Sequence, residues 1–258
     1  MSAEKDITLD EKRVYGSKEG STPVFVATGA GLARVEVSAD LVGEFGLARR
    51  GDTRDVVGSE GRLAVAAEDV LVGTGDAFAE TGFGPADAVG FEDGLVAAGD
   101  GRVARHDGDA WVSLAAVDDV RVLAGEMLAA AGGVFRLDGD HVGLDDARDL
   151  SVDGEVLAAT GDGLYWLGNG WMDALGGGFR AVAADGERAY AVADDGTCYR
   201  RADGAWTATD APGDVADVTL ADDAVYAVTT DGTFLANAGD GWRDRRLGLP
   251  SARRIAVP

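Results

Sequence analysis

Apolar residues in this chain fall in runs of about four to eight, broken by Gly- and Asp-rich turns. Such runs are too short for ordinary helices, and several alternate polar and apolar as strands do, for example Thr197-Cys-Tyr-Arg-Arg201. One pattern recurs: small apolar residues, a Gly or Asp turn, then a second apolar run. It reads Val26–Leu32, Leu63–Val70, Val96–Val103, Leu128–Val134, Leu157–Leu164, Tyr190–Thr197 and Tyr226–Thr233, seven copies in all. Asp-Gly occurs eleven times, and this dipeptide reaches the positive φ angles of tight hairpins. Short antiparallel strands at a regular period predict an all-β barrel, sandwich or propeller.

A charged residue near the first strand of each unit selects among these. Asp55, Asp87, Asp119, Asp149, Arg180, Asp217 and Arg254 recur at intervals of 32, 32, 30, 31, 37 and 37 residues. Each interval has room for four short strands, one propeller blade. The expectation is a seven-bladed β-propeller over residues 22–258, with residues 1–21 as an N-terminal extension. After Arg254 only Ile255-Ala-Val-Pro258 remains, one strand without successors. Residues 23–48 supply three strands, Pro23–Thr28, Leu32–Val37 and Leu41–Leu47, without an innermost one. Joining the two ends in one blade closes the ring and removes its open edges.

Charge alters the picture of the surroundings more than that of the fold. Of 46 acidic residues 34 are Asp, the formal net charge is -23, and the only lysines are Lys5, Lys12 and Lys18. Short carboxylates with few lysine stems suit molar salt, where the Debye length falls to roughly 3 Å and self-repulsion is screened. That acidity disfavours a phosphate backbone as partner, although residues 241–258 form a basic end with Arg243, Arg245, Arg246, Arg253 and Arg254. Neither a signal-peptide run near Met1 nor a stretch of about 18 apolar residues occurs, so a cytoplasmic protein with no membrane span is expected. Cys198 has no partner for a disulfide.

The seven charged residues place five carboxylates and two guanidinium groups at the expected channel mouth. They are the candidate ligand-binding set, suited to a cation, a polyamine or a small polar ligand; the five Asp are the set for a divalent cation, since calcium takes only oxygen ligands. Against this stands a structural role: Asp accepts backbone hydrogen bonds at interblade loops, and Arg180 and Arg254 pair with neighbouring carboxylates. Arg54, Arg148 and Arg253, with Arg49 and Arg50 upstream, suit an anion, or else ion pairs with the surplus Asp. Trp111, Trp171, Trp206 and Trp242 follow turns and are expected between blades; alternation inside Leu164-Tyr-Trp-Leu167 leaves Tyr165 or Trp166 facing the other way, a candidate exposed anchor. His106, His141 and Cys198 read as structural. Gly29-Ala-Gly31 and Gly176-Gly-Gly178 lack the Lys-Ser/Thr of a phosphate loop, and no Gly-x-Ser-x-Gly elbow occurs.

Asp107-Gly-Asp-Ala-Trp111, Asn169-Gly-Trp171, Asp203-Gly-Ala-Trp206 and Gly239-Asp-Gly-Trp242 resemble the turn-then-Trp ending of Asp-box blades. The repeat is distantly similar to WD40 and kelch propellers, without their Gly-His…Trp-Asp pair and without a full Asp box. With the composition, the chain resembles uncharacterised haloarchaeal β-propeller proteins. The resemblance implies a fold and no activity. The expected function is a non-enzymatic platform, monomeric and without a resident cofactor, for an unidentified protein or small polar ligand. The alternative is a metal-assisted hydrolase or lactonase using Asp ligands. A metal site built from three or more of the five Asp favours the enzyme, and a salt-bridged channel favours the platform.

Overall fold

The computed structural model describes residues 20–249 and 251–258. The extension expected over residues 1–21 therefore lies almost wholly outside the described residues. Within them every regular element is a strand, and the strands form seven antiparallel sheets of four. Blade 1 is built from Thr22–Thr28, Gly31–Ser38 and Leu41–Arg50, with Ala252–Ala256 as its innermost strand. Blades 2 to 7 follow in chain order, opening on the innermost strands Asp55–Ser59, Ala88–Phe91, Val120–Ala124, Ala147–Ser151, Phe179–Ala184 and Val215–Ala221. The ring thus closes as the sequence suggests, by Val26 pairing with Ile255 and Phe25 with Ala256. One detail differs: the closing strand begins at Ala252, so Arg254 lies inside it rather than ahead of it.

The seven repeats are the second and third strands of each blade with their connecting turn. In three blades the turn is fixed by a threonine. The hydroxyls of Thr28, Thr160 and Thr229 accept backbone N–H groups of the turn and donate to the carbonyls of Gly31, Gly163 and Thr233.

Small side chains let the blades approach closely. Each of the seven blade interfaces has its own apolar core, mostly Ala, Val and Leu. The interface between blades 7 and 1 has the largest buried core, with Tyr226 and Phe234 packed on Val24, Val26 and Ile255. Its size offsets the weakness of a blade assembled from both ends of the chain.

Candidate functional site in the central channel

Strand pairing defines which residues are equivalent around the ring. Asp55, Ala88, Val122, Asp149, Ala181, Asp217 and Arg254 occupy one position of the innermost strand, opposite Ala66, Ala98, Ala129, Ala159, Val192, Val228 and Ala27. The residues just before them are Arg54, Asp87, Arg121, Arg148, Arg180, Ala216 and Arg253. The charged ring expected from spacing therefore divides into separate levels. Asp55, Asp149, Asp217 and Arg254 come together. Asp87 and Arg180 stand one residue earlier, and Asp119 sits before Val120 at φ 52°. The reason is a register shift: in blades 4 to 7 a bulge follows the first strand residue, and blade 1 has one at the same place. A bulged residue is unpaired and its side chain is re-aimed.

Asp55, Asp149 and Asp217 are buried, and each ties its blade to the next. Their Oδ2 atoms accept the backbone N–H groups of Val89, Val182 and Ile255 at 3.0, 2.7 and 2.8 Å. The Oδ1 atoms of Asp55 and Asp149 accept the N–H groups of Val56 and Leu150 at 2.9 and 3.0 Å. The receiving blades 3, 6 and 1 carry Ala88, Ala181 and Arg254 instead of an acid, so each clip runs one way.

Arg254 crosses the channel. Its guanidinium reaches Asp149, on the far side of the ring, at 3.1 Å; Asp217 and Asp55 of the flanking blades lie at 3.6 and 3.8 Å. Burial alone would lower its pKa, but Asp149, Asp217 and Asp55 together raise it above the ordinary arginine value, so the cation is fixed. Burial pushes all three carboxyls up, against the opposing pull of Arg254 and the backbone donors. Asp217 is carried to about 7, where one proton is readily held. Three carboxylates and one guanidinium leave a surplus of negative charge at the centre of the ring.

Beyond this cluster a cavity of about 510 Å³ runs along the innermost strands to their C-terminal ends. Its wall mixes small apolar side chains, among them Val57, Val122, Ala124, Ala183 and Ala256, with polar surface that includes Ser151 and Thr219. Glu92, Asp153 and Asp185 line it near those ends. Among the described residues no group of three or more His, Cys, Asp or Glu is arranged to hold a metal ion. Asp87 and Asp119, which would be needed for the five-Asp set, stand apart from the other three.

The arginines ahead of the cluster are interblade braces. Arg253, Arg121 and Arg180 each pair with an Asp of the next blade, Asp52, Asp146 and Asp214, at 2.9, 2.7 and 3.0 Å. The same three donate to the carbonyls of Thr53, Ala147 and Val215 at 3.2, 3.0 and 3.4 Å. Arg54 donates to the carbonyl of Ala86 at 2.9 Å, and Arg148 pairs with Asp146 and Asp194. Arg54, Arg148 and Arg253 are thus engaged with protein, and Arg49 lies on the outer strand of blade 1 with Arg50. Sequence reasoning missed Arg121. Its signal was present: a buried residue followed by Arg recurs as Thr53-Arg54, Val120-Arg121, Ala147-Arg148, Phe179-Arg180 and Ala252-Arg253.

The remaining candidates are packing residues. The indoles of Trp111 and Trp171 donate to the carbonyls of Thr81 and Val142 in the preceding blades, and Trp206 and Trp242 pack on interblade cores. Trp166 is half-buried against the core between blades 5 and 6, so the candidate anchor is largely covered; among the described residues the exposed large apolar ones are Leu41, Phe45, Val112 and Met172. His106 packs edge-on against Trp111 and accepts the N–H of Gly108, while His141 packs against Phe135. Burial pushes the Cys198 thiol up to about 11.

Seven four-stranded blades around a plugged channel make this chain an all-β propeller. The HVO_0234-like beta-propeller family matches residues 8–258, and the chain belongs to that family. A search of curated proteins found no match. Solved structures share the fold at low identity. The computationally designed Ika8 protein aligns with a TM-score of 0.59 at 16% identity, over 92% of this chain and 91% of that one. A chain of the nidogen–laminin complex gives 0.60 at 8%, over 92% and 98%. The WD40 β-propeller domain of Doa1 gives 0.56 at 13%, over 86% and 88%. At these identities the likeness concerns the fold alone.

Proposed function

We propose that this propeller is a non-enzymatic binding platform whose site is the channel cavity, and that it takes a small polar ligand with a cationic group. The observation that carries the reading is the cavity of about 510 Å³ standing on a buried, charged floor. Ligand sites are concave and carry a few fixed polar groups, and this cavity is concave with Asp55, Asp149, Asp217 and Arg254 fixed in its lining. The floor is negative in sum, since Asp55, Asp149 and Asp217 face one guanidinium. A cation entering where the strands end meets Glu92, Asp153 and Asp185, the last paired with Arg188, and is drawn toward a floor whose net charge is negative. The carboxylates that a metal-assisted hydrolase would need are instead engaged with Arg254. The Asp-rich, lysine-poor composition supports action in the cytoplasm of a halophile.

The test is thermal unfolding in molar KCl with putrescine, Mg²⁺ or inorganic phosphate added. A ligand that binds only the folded state raises the melting temperature with concentration. Putrescine should do so in the wild type and lose the effect in D149N. If only Mg²⁺ stabilises, and needs Asp149, the metal-assisted alternative replaces this reading. If no probe shifts the curve, the channel is not a site for small cations.

A further inference from the structure

We propose that the last strand of the chain is a proton-linked latch: Arg254 fastens ring closure to three carboxylates from blades 2, 5 and 7, and the fastening loosens as pH rises. This inference is independent of any ligand.

The geometry is specific to this strand. Ala252–Ala256 is held to its own blade by pairing with Phe25–Thr28, and to blade 7 by the bond from the Ile255 N–H to Asp217 Oδ2 at 2.8 Å. Its other polar anchors are Arg253, which pairs with Asp52 of blade 2 at 2.9 Å, and Arg254, which reaches into the channel. Release of the strand withdraws the one guanidinium from the cluster and opens Asp55, Asp149 and Asp217 to water. In the closed state three buried carboxylates share that cation, and one shared proton relieves the surplus charge. In the open state the same carboxyls are hydrated and titrate in the ordinary Asp range.

The charged groups that face Asp217 are few. Arg254 comes from the strand that moves and Asp149 from the innermost strand of blade 5. The neighbouring strand Phe179–Ala184 directs Arg180 away to Asp214, and the second strand Ala224–Thr229 directs the Tyr226 hydroxyl to the carbonyl of Ala39. Neither histidine lies on an innermost strand. Among the described residues, no titratable side chain outside the cluster therefore competes for the proton.

The sign follows from linkage. Asp217 in the closed state titrates near 7, well above its value in water, so the closed state holds more protons between those limits. Stability of closure is complete at acid pH and is lost as pH rises toward about 7, by up to tenfold in the opening equilibrium per pH unit for one proton.

Hydrogen exchange of the whole protein in molar KCl between about pH 5 and pH 8, corrected for intrinsic rates, reads this opening directly. Protection of segments 22–28 and 251–258 should fall with pH, by more than tenfold across the range, while segment 127–136 in blade 4 stays level. In D217N, whose amide oxygen still accepts the Ile255 N–H, the dependence should flatten. Should D217N fail to fold, D149N serves the same purpose. Equal pH dependence in the terminal and blade 4 segments of the wild type, or an unaltered dependence in the folded variant, overturns the proposal.

Discussion

Replacing Arg254 by methionine tests what one guanidinium does for a ring of seven blades. Methionine keeps most of the side chain's length and apolar stem, so the change isolates the charge. Among the described residues Arg254 is the only cation within reach of three buried carboxylates, at 3.1, 3.6 and 3.8 Å. Removing one partner of a buried ion pair costs about 3–5 kcal/mol, because the other charge stays buried without compensation. For a domain of this size each kcal/mol lowers the melting temperature by about 2–4 °C, so the expected loss is roughly 6–20 °C at neutral pH. The loss should depend on pH in a fixed direction. Without the cation, the carboxyls, already raised by burial, move further up and take protons as pH falls. The deficit of R254M relative to wild type should shrink steadily between about pH 8 and pH 5. Differential scanning calorimetry of both proteins at matched salt is the assay. A shift under about 2 °C at neutral pH, or a deficit independent of pH, would refute the assignment of Arg254 as the compensating charge.

Deleting residues 252–258 removes the innermost strand of blade 1 along with buried Ile255 and Ala256, and the melting temperature should fall by roughly 10 °C or more. An unchanged melting curve contradicts closure by this strand. Gly58 to Ala would drive a Cβ into the carbonyl of Val257 in the neighbouring blade, and the overpacking should cost about 1–3 kcal/mol in denaturant unfolding. The same change at Gly46, where a Cβ meets nothing, should be close to neutral, and equal effects would refute the close approach of blades 1 and 2. Finally, the net charge of -23 predicts a melting temperature that climbs as KCl is raised toward molar concentrations, and a flat response would count against adaptation to brine.

The blade count and the closure were legible because their signals are local. Each second strand carries its own Ala–Val run and ends in its own turn, as in Tyr226–Thr233, and a strand missing at one terminus is matched by a surplus at the other. The level of the charged residues was not legible in the same way. A bulge adds one residue between Ala147 and Asp149, and again between Val215 and Asp217, so counting from the nearest turn loses register. Choosing the nearest charge in each blade made the spacing more even than it is: Asp87 stood in for Ala88, Asp119 for Val122 and Arg180 for Ala181. The brace formed by Arg121 was hidden for a related reason, since its worth depends on Asp146 and the Ala147 carbonyl of the next blade. The contact that matters most, Arg254 with Asp149, joins opposite sides of the ring and leaves no trace in local sequence.

That contact also offers the most direct test of a plugged channel with a charged floor. A double-mutant cycle with R254M and D149N, measured by denaturant unfolding, compares the sum of the single effects with the double variant. Contact at 3.1 Å across the channel predicts a coupling energy above about 1 kcal/mol. Effects that add within about 0.5 kcal/mol would mean that the two side chains do not meet, and the floor of the proposed site would not exist.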